Sequence, residues 1–174
     1  MKRIFLIGYM GAGKTTVGKQ LARRMGLSFI DLDLHIEARY HKNVRKLFAE
    51  RGEDGFREIE NKILHEVAEF EDVIISTGGG TPCFFDNMEF MNQHGKTVYL
   101  KVSIEELAKR LEISKQTRPV LQNRSGESLL RFIDDSIKQR EVFYKQASIV
   151  FDAEHMMTES DVQAIVSALE RLLN

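Results

Sequence analysis

Gly8-Tyr9-Met10-Gly11-Ala12-Gly13-Lys14-Thr15 matches the pattern G-x-x-x-x-G-K-[ST], directly after an apolar run and directly before a helical stretch. Phosphate oxygens need several donors converging at close range. Glycines remove the Cβ atoms that would block the backbone, so successive N–H groups form an anion-binding concavity. The helix from Lys14 onward aims its positive dipole end at the same point. Lys14 adds a mobile charge for the β- and γ-phosphates, and the Thr15 hydroxyl is a ligand for Mg²⁺. The plain alternative is a glycine-rich turn at a strand-to-helix junction. The motif predicts a bound nucleoside triphosphate and leaves the acceptor open, since a GTPase, an ATPase or a small-molecule kinase could own it.

Residues able to hold an acceptor lie further along. Phe29-Ile30-Asp31-Leu32-Asp33 reads as the end of a second strand, with Asp31 and Asp33 on one side of its carboxyl end. Two such carboxylates repel unless a cation and substrate donors compensate, which predicts Mg²⁺ near Asp31 and a hydroxyl near Asp33. Helix N-capping by Asp33 is the alternative. Arg57 and Glu60 stand three apart in a helical run carrying Ile59, Ile63, Val67 and Phe70, a spacing that by itself suits a surface ion pair. Gly78-Gly79-Gly80 closes a third strand and permits close approach of a ligand to the backbone, or serves as a flexible turn before Pro82. Ile133, Ile137, Arg140 and Tyr144 fall on one helix face, so Arg140 interrupts an apolar stripe. A guanidinium there either reaches solvent at the edge or meets an anion. Arg57 and Arg140 together could hold one acid group.

The elements that position these residues alternate between short β-branched runs and longer helical stretches, the pattern of a doubly wound α/β fold. Strands are expected at Arg3–Ile7, Phe29–Leu32, Val73–Ser76, Thr97–Val102 and Ile149–Phe151. Ser103 to Glu106 and Thr158 to Asp161 have capping-box spacing, and Pro82 suits the first turn of a helix carrying Phe85, Met88 and Met91. The polar stretch from Glu112 to Gly126 breaks the alternation. A connection of that length, with Arg118 and Arg124 in it, is expected to be a lid over residues 112–126.

Composition narrows the function classes. The 174 residues suit a single domain, and 25 basic against 26 acidic side chains leave no bulk charge for nucleic-acid binding. No apolar run approaches a membrane span or a signal-peptide core, so a cytoplasmic protein is expected. The single cysteine, Cys83, cannot form an internal disulfide and is expected to be packed rather than reactive. The five histidines lack metal-ligand spacing.

Taken in order, GYMGAGKTTVGK from Gly8, DLD at Asp31–Asp33, FREIE from Phe56, the glycines 78–80, RPVL from Arg118, and Arg140 with Tyr144 resemble the shikimate kinase family over nearly the whole chain. The resemblance implies a P-loop fold of the nucleoside-monophosphate-kinase kind: a five-stranded parallel sheet flanked by helices, a mobile lid, and a substrate-binding helical region over about residues 33–61. It implies transfer of the γ-phosphoryl group of ATP, with Mg²⁺, to the 3-hydroxyl of shikimate, by a monomer with no nucleic-acid or membrane partner. It carries over Gly11, Ala12, Gly13, Lys14, Thr15, Thr16, Arg110 and Arg118 as nucleotide-binding, and Thr15 and Asp31 as metal-binding. Asp33, Arg57, Gly78, Gly79, Gly80 and Arg140 correspond to substrate-binding positions, and Lys14, Asp33 and Arg118 to catalytic ones. Val120 and the segment Asp152–Met156 depart from the family pattern, the latter on the adenine side. Rival readings are another small-molecule kinase of the same fold and a nucleotide-binding module without turnover.

Overall fold

The computed structural model describes residues 1–114 and 124–174, and the statements below concern these. Five parallel strands, β1 (Arg3–Ile7), β2 (Ser28–Asp31), β3 (Val73–Ser76), β4 (Lys96–Lys101) and β5 (Ile149–Asp152), form one sheet in the order β2-β3-β1-β4-β5. The intervening helices are α1 (Lys14–Met25), α2 (Leu32–Tyr40), α3 (Val44–Val67), α4 (Asn87–His94), α5 (Ile104–Ser114), α6 (Gly126–Tyr144) and α7 (Glu159–Leu173). No described helix is long and apolar enough to cross a membrane.

Strand alternation divides the interior into two cores. Ile4 and Leu6 of β1, with Val98 and Leu100 of β4, face a core completed by α1, α5, α7 and the first half of α6. Phe5 and Ile7, with Val73, Ile75 and Tyr99, face a second core built with α2, α3 and α4. Strands covered on both faces need the near-continuous apolar runs seen in the sequence. Helix α6 bridges the two: Ile133 and Ile137 belong to the first core and Tyr144 to the second.

Register aligns the strand ends that matter. Leu6 pairs with Ser76, and Ser76 with Asp31, so the carboxyl ends of β1, β3 and β2 finish level. The phosphate loop, the glycine triplet and the aspartates therefore leave the sheet from one edge, where open α/β sheets bind ligands.

Several expectations need correction. β2 stops at Asp31, and Leu32 and Asp33 begin α2, so the two aspartates do not share a strand face. Asp31, rather than Asp33, is the N-cap: its carboxylate accepts the Leu34 N–H at 3.1 Å, which ends the strand. The expected helix from Pro82 is split. Thr81–Cys83 form a 3-10 turn, Phe85 sits at φ 50° and is exposed, and α4 starts only at Asn87. Phe70 lies past the end of α3 and is exposed, because α3 runs earlier than expected and kinks at Gly52 (φ 70°). Thr158 and Asp161 form the full capping box, whereas Ser103 caps the Glu106 N–H but gives its own N–H to Glu154. The lid expected over 112–126 falls mostly on residues outside the described ones; 112–114 continue α5 and Gly126 opens α6.

Candidate active site

An open cavity of about 780 Å³ lies along the aligned strand ends. Gly11, Gly13, Lys14, Thr15, Thr16, Asp31, Asp33, Gly78, Gly79 and Arg110, all predicted from sequence, line it. Ala12 does not: its side chain is buried in the first core, so only its backbone is available to a phosphate. Arg57, Gly80 and Arg140 are not among the lining residues; the two arginines pack against Gly80 and Gly79, at the border of the cavity wall. Arg118 lies outside the described residues.

The phosphate loop runs from β1 into α1 through Gly11 and Gly13, both at positive φ (84° and 95°), conformations that favour glycine. Lys14 is largely buried, and its Nζ donates to the carbonyls of Gly8 (2.7 Å) and Tyr9 (3.0 Å). The Thr15 hydroxyl donates to Asp31 Oδ2 at 3.1 Å, bringing two oxygen ligands together from α1 and β2. Hydroxyl and carboxylate oxygens of this kind suit a hard divalent cation, so the residues fit Mg²⁺.

Asp33 projects from the first turn of α2 toward the glycine wall. A Cβ placed on Gly78 would lie 3.4 Å from Asp33 Oδ1 and 3.3 Å from Glu60 Oε2. Burial, reinforced by the Glu60 and Asp31 carboxylates and opposed by Lys14, pushes Asp33 up to about 6. It is thus poised near neutrality beside the phosphate loop.

Arg57 and Glu60 are not a surface pair. They are 8% and 1% exposed, with Arg57 Nη1 donating to Glu60 Oε1 at 3.0 Å. The Arg57 guanidinium rests flat against the triplet: a Cβ on Gly80 would come within 2.6 Å of Nη2, and the Phe84 ring covers it at 4.2 Å. Its Nε is buried without a hydrogen-bond partner. Arg140 reaches the next glycine, Nη1 lying 3.2 Å from a Cβ on Gly79, with the Tyr9 ring 5.6 Å away. Among the described residues Arg140 forms no ion pair. Two guanidinium groups thus converge on consecutive glycines, an arrangement complementary to a small carboxylate. Tyr144 fixes the wall from behind by donating its hydroxyl to the Gly79 carbonyl.

On the opposite side Arg110 is engaged in the protein itself, donating to the carbonyls of Gly11 (3.2 Å), Ala153 (3.0 Å) and Glu154 (2.9 Å). The Ser103 hydroxyl and N–H bind Glu154 and hold its carboxyl below the usual range. The segment that departs from the family pattern is therefore tied down, and Met156 lies over Gly13 and lines the cavity. Cys83, half-buried, has its thiol pushed up to about 11 by burial, so it is packed rather than reactive.

Sequence reasoning took Glu60 only as a surface partner of Arg57 and overlooked Thr81 and Asn87. All three are buried and joined: Thr81 Oγ1 donates to Glu60 Oε2 (2.8 Å), and Asn87 Nδ2 to the Thr81 carbonyl (2.9 Å). For Thr81 and Asn87 the only signal was polarity shortly after the glycine triplet, and for Glu60 the i, i+3 spacing from Arg57.

The profile of the shikimate kinase family matches residues 10–170. The shikimate kinase of Parabacteroides distasonis is 70% identical over 173 residues, covering 99% of this chain and 100% of that one. The crystal structure of the Bacteroides thetaiotaomicron shikimate kinase superposes with a TM-score of 0.96 at 55% identity, covering 99% of this chain and 98% of the other. The Acinetobacter baumannii shikimate kinase, solved in complex with shikimate, gives 0.85 at 32% identity, covering 99% and 93%. The family profile runs from within the phosphate loop into α7, and the chain belongs to the shikimate kinase family.

Proposed function

We propose that this chain transfers the γ-phosphoryl group of ATP to the 3-hydroxyl of shikimate, a step of aromatic amino acid biosynthesis. The observation that carries the reading is one cavity that joins a phosphate loop, an aspartate and a glycine wall, with two arginines packed against the adjoining glycines. Lys14 and the loop N–H groups hold the phosphates. Thr15 and Asp31 would hold Mg²⁺, which supplies positive charge to the phosphate oxygens when bound. Arg57 and Arg140 take the acceptor carboxylate and so orient the ring. Asp33 receives the hydroxyl, aligns it and accepts its proton, for which a pKa near neutrality is suited. Phosphoryl transfer needs little covalent chemistry from the protein, so positioning and charge stabilisation carry most of the rate. Arg118, which lies outside the described residues, is assigned by the resemblance to the transferring phosphates.

The test is ATP consumption with shikimate, gluconate or a nucleoside monophosphate in turn. Turnover with shikimate alone is expected. Equal turnover with gluconate, or none with any acceptor, would overturn the assignment.

A further inference from the structure

Thr81 directly follows the glycine triplet, is 0% exposed, and commits every polar group it has. Its N–H donates to the Gly78 carbonyl (3.2 Å), its carbonyl accepts from Asn87 Nδ2 (2.9 Å), and its hydroxyl donates to Glu60 Oε2 (2.8 Å). Asn87 is itself held, its Oδ1 accepting from Asn61 Nδ2 at 2.7 Å. A continuous chain of hydrogen bonds, buried except at Asn61, thus runs from α3 through α4 and the 3-10 turn back to α3.

The consequence falls on Arg57. A carboxylate beside a guanidinium prefers the two-pronged arrangement, both oxygens against one edge of the fork. Glu60 does not adopt it. Only Oε1 meets Arg57, through Nη1 at 3.0 Å, because Oε2 is turned away to the Thr81 hydroxyl. The remaining groups of the guanidinium are left weakly used. Nε has no partner, and Nη2 is 3.7 Å from the exposed carboxylate of Glu53.

We infer that Thr81 is a positioning residue for acceptor binding: by holding the second oxygen of Glu60 it keeps the Glu60–Arg57 pair one-pronged and leaves part of the Arg57 guanidinium available to the acceptor carboxylate. Without the hydroxyl, Glu60 closes onto Arg57 with both oxygens and competes with the substrate. The inference rests on the reading of Arg57 as an acceptor-carboxylate ligand, and the experiment separates the two.

Thr81→Val keeps the shape and removes the donor, whereas Thr81→Ser keeps the donor and removes a methyl group. Shikimate affinity by calorimetry and steady-state kinetics are measured for both, and for Arg57→Met alone and combined with Thr81→Val. Thr81→Val is expected to raise KM and Kd for shikimate at least about tenfold, with kcat and KM for ATP within about twofold, the mark of lost ground-state binding. Thr81→Ser should remain within about threefold of wild type, and adding Thr81→Val to Arg57→Met should cost nothing more. If Thr81→Val binds shikimate normally while Arg57→Met does not, the inference falls and the Arg57 reading stands. If Thr81→Ser is as impaired as Thr81→Val, packing rather than the hydroxyl is responsible, and the inference falls. Normal binding by Arg57→Met overturns the Arg57 reading itself. Should Thr81→Val fail to fold, Thr81→Cys, shaped like the serine variant but with a poor donor, is compared with Thr81→Ser: weaker shikimate binding by the cysteine variant is expected, and equal binding overturns the inference.

Discussion

Replacing Asp33 by asparagine should make the empty enzyme more stable while disabling it. Asp33 is half-buried near Glu60, Asp31 and Glu37, with Lys14 the opposing cation, and desolvation first and these carboxylates second raise its pKa from 3.8 to about 6. A carboxyl whose folded pKa exceeds its unfolded one binds more protons folded than unfolded across that interval. Stability therefore falls as pH rises through the window and the full penalty is present above it. The difference, 6 − 3.8 = 2.2 units, corresponds to at most about 3 kcal/mol at ~1.36 kcal/mol per unit. A neutral amide at this position carries no such penalty. The Asp33→Asn variant should gain on wild type from near equality at about pH 4 to a lead of at most ~3 kcal/mol at about pH 7.5, or roughly 6–12 °C in Tm for a chain of this size. The measurement is denaturant and thermal unfolding of both proteins across that range, without nucleotide and with divalent cations chelated, since a bound cation would reverse the local charge balance. Carboxylates that do not face Asp33 titrate alike in both proteins and cancel in the difference. A gap that does not change with pH, or a variant that loses ground as pH rises, would refute the charge-burial argument. Activity gives the counterpart: kcat should fall at least about a hundredfold if Asp33 takes the acceptor proton.

Lys14→Ala should fold normally and retain less than about a tenth of wild-type turnover, a loss exceeding ~1.4 kcal/mol, and a folded variant that stays more active contradicts the role given to Lys14. Arg118→Ala should lower kcat more than it weakens shikimate binding; a change confined to shikimate affinity would place this arginine at the acceptor instead. Arg140→Met should leave the melting temperature of the empty enzyme unchanged or slightly higher, yet weaken shikimate binding by roughly 2–5 kcal/mol with nucleotide affinity intact. Calorimetry with each ligand checks this, and early melting with normal shikimate binding would mean that Arg140 is structural.

The phosphate loop, β1 and β3 were legible residue by residue, because local chemistry sets them: glycines at positive φ, and apolar runs that must be covered on both faces. The error at Asp33 has a local cause. Leu32 is apolar and fully buried, so it reads as one more strand residue, but its burial comes from the inner face of α2. The Arg57–Glu60 pair was misjudged because i, i+3 spacing carries no information about depth. Depth there comes from Phe48, Phe56 and Phe84, which only the fold gathers around one guanidinium. For Arg140 the stripe of Ile133, Ile137 and Tyr144 did carry depth, and the inward placement followed. The Thr81–Asn87–Asn61 chain left no periodic trace, since it joins three elements through single polar atoms.

The grip of the Gly8 and Tyr9 carbonyls on Lys14 bears on which nucleotides can enter. With its ammonium bonded to two carbonyls of its own loop, Lys14 belongs to a closed circuit. An incoming ligand must offer that ammonium something better than two carbonyl dipoles, and only a full negative charge does so. A nucleoside, lacking phosphate, has nothing to trade and leaves the circuit shut. Discrimination for polyphosphates thus begins as an exchange reaction inside the loop, before any contact with the base contributes.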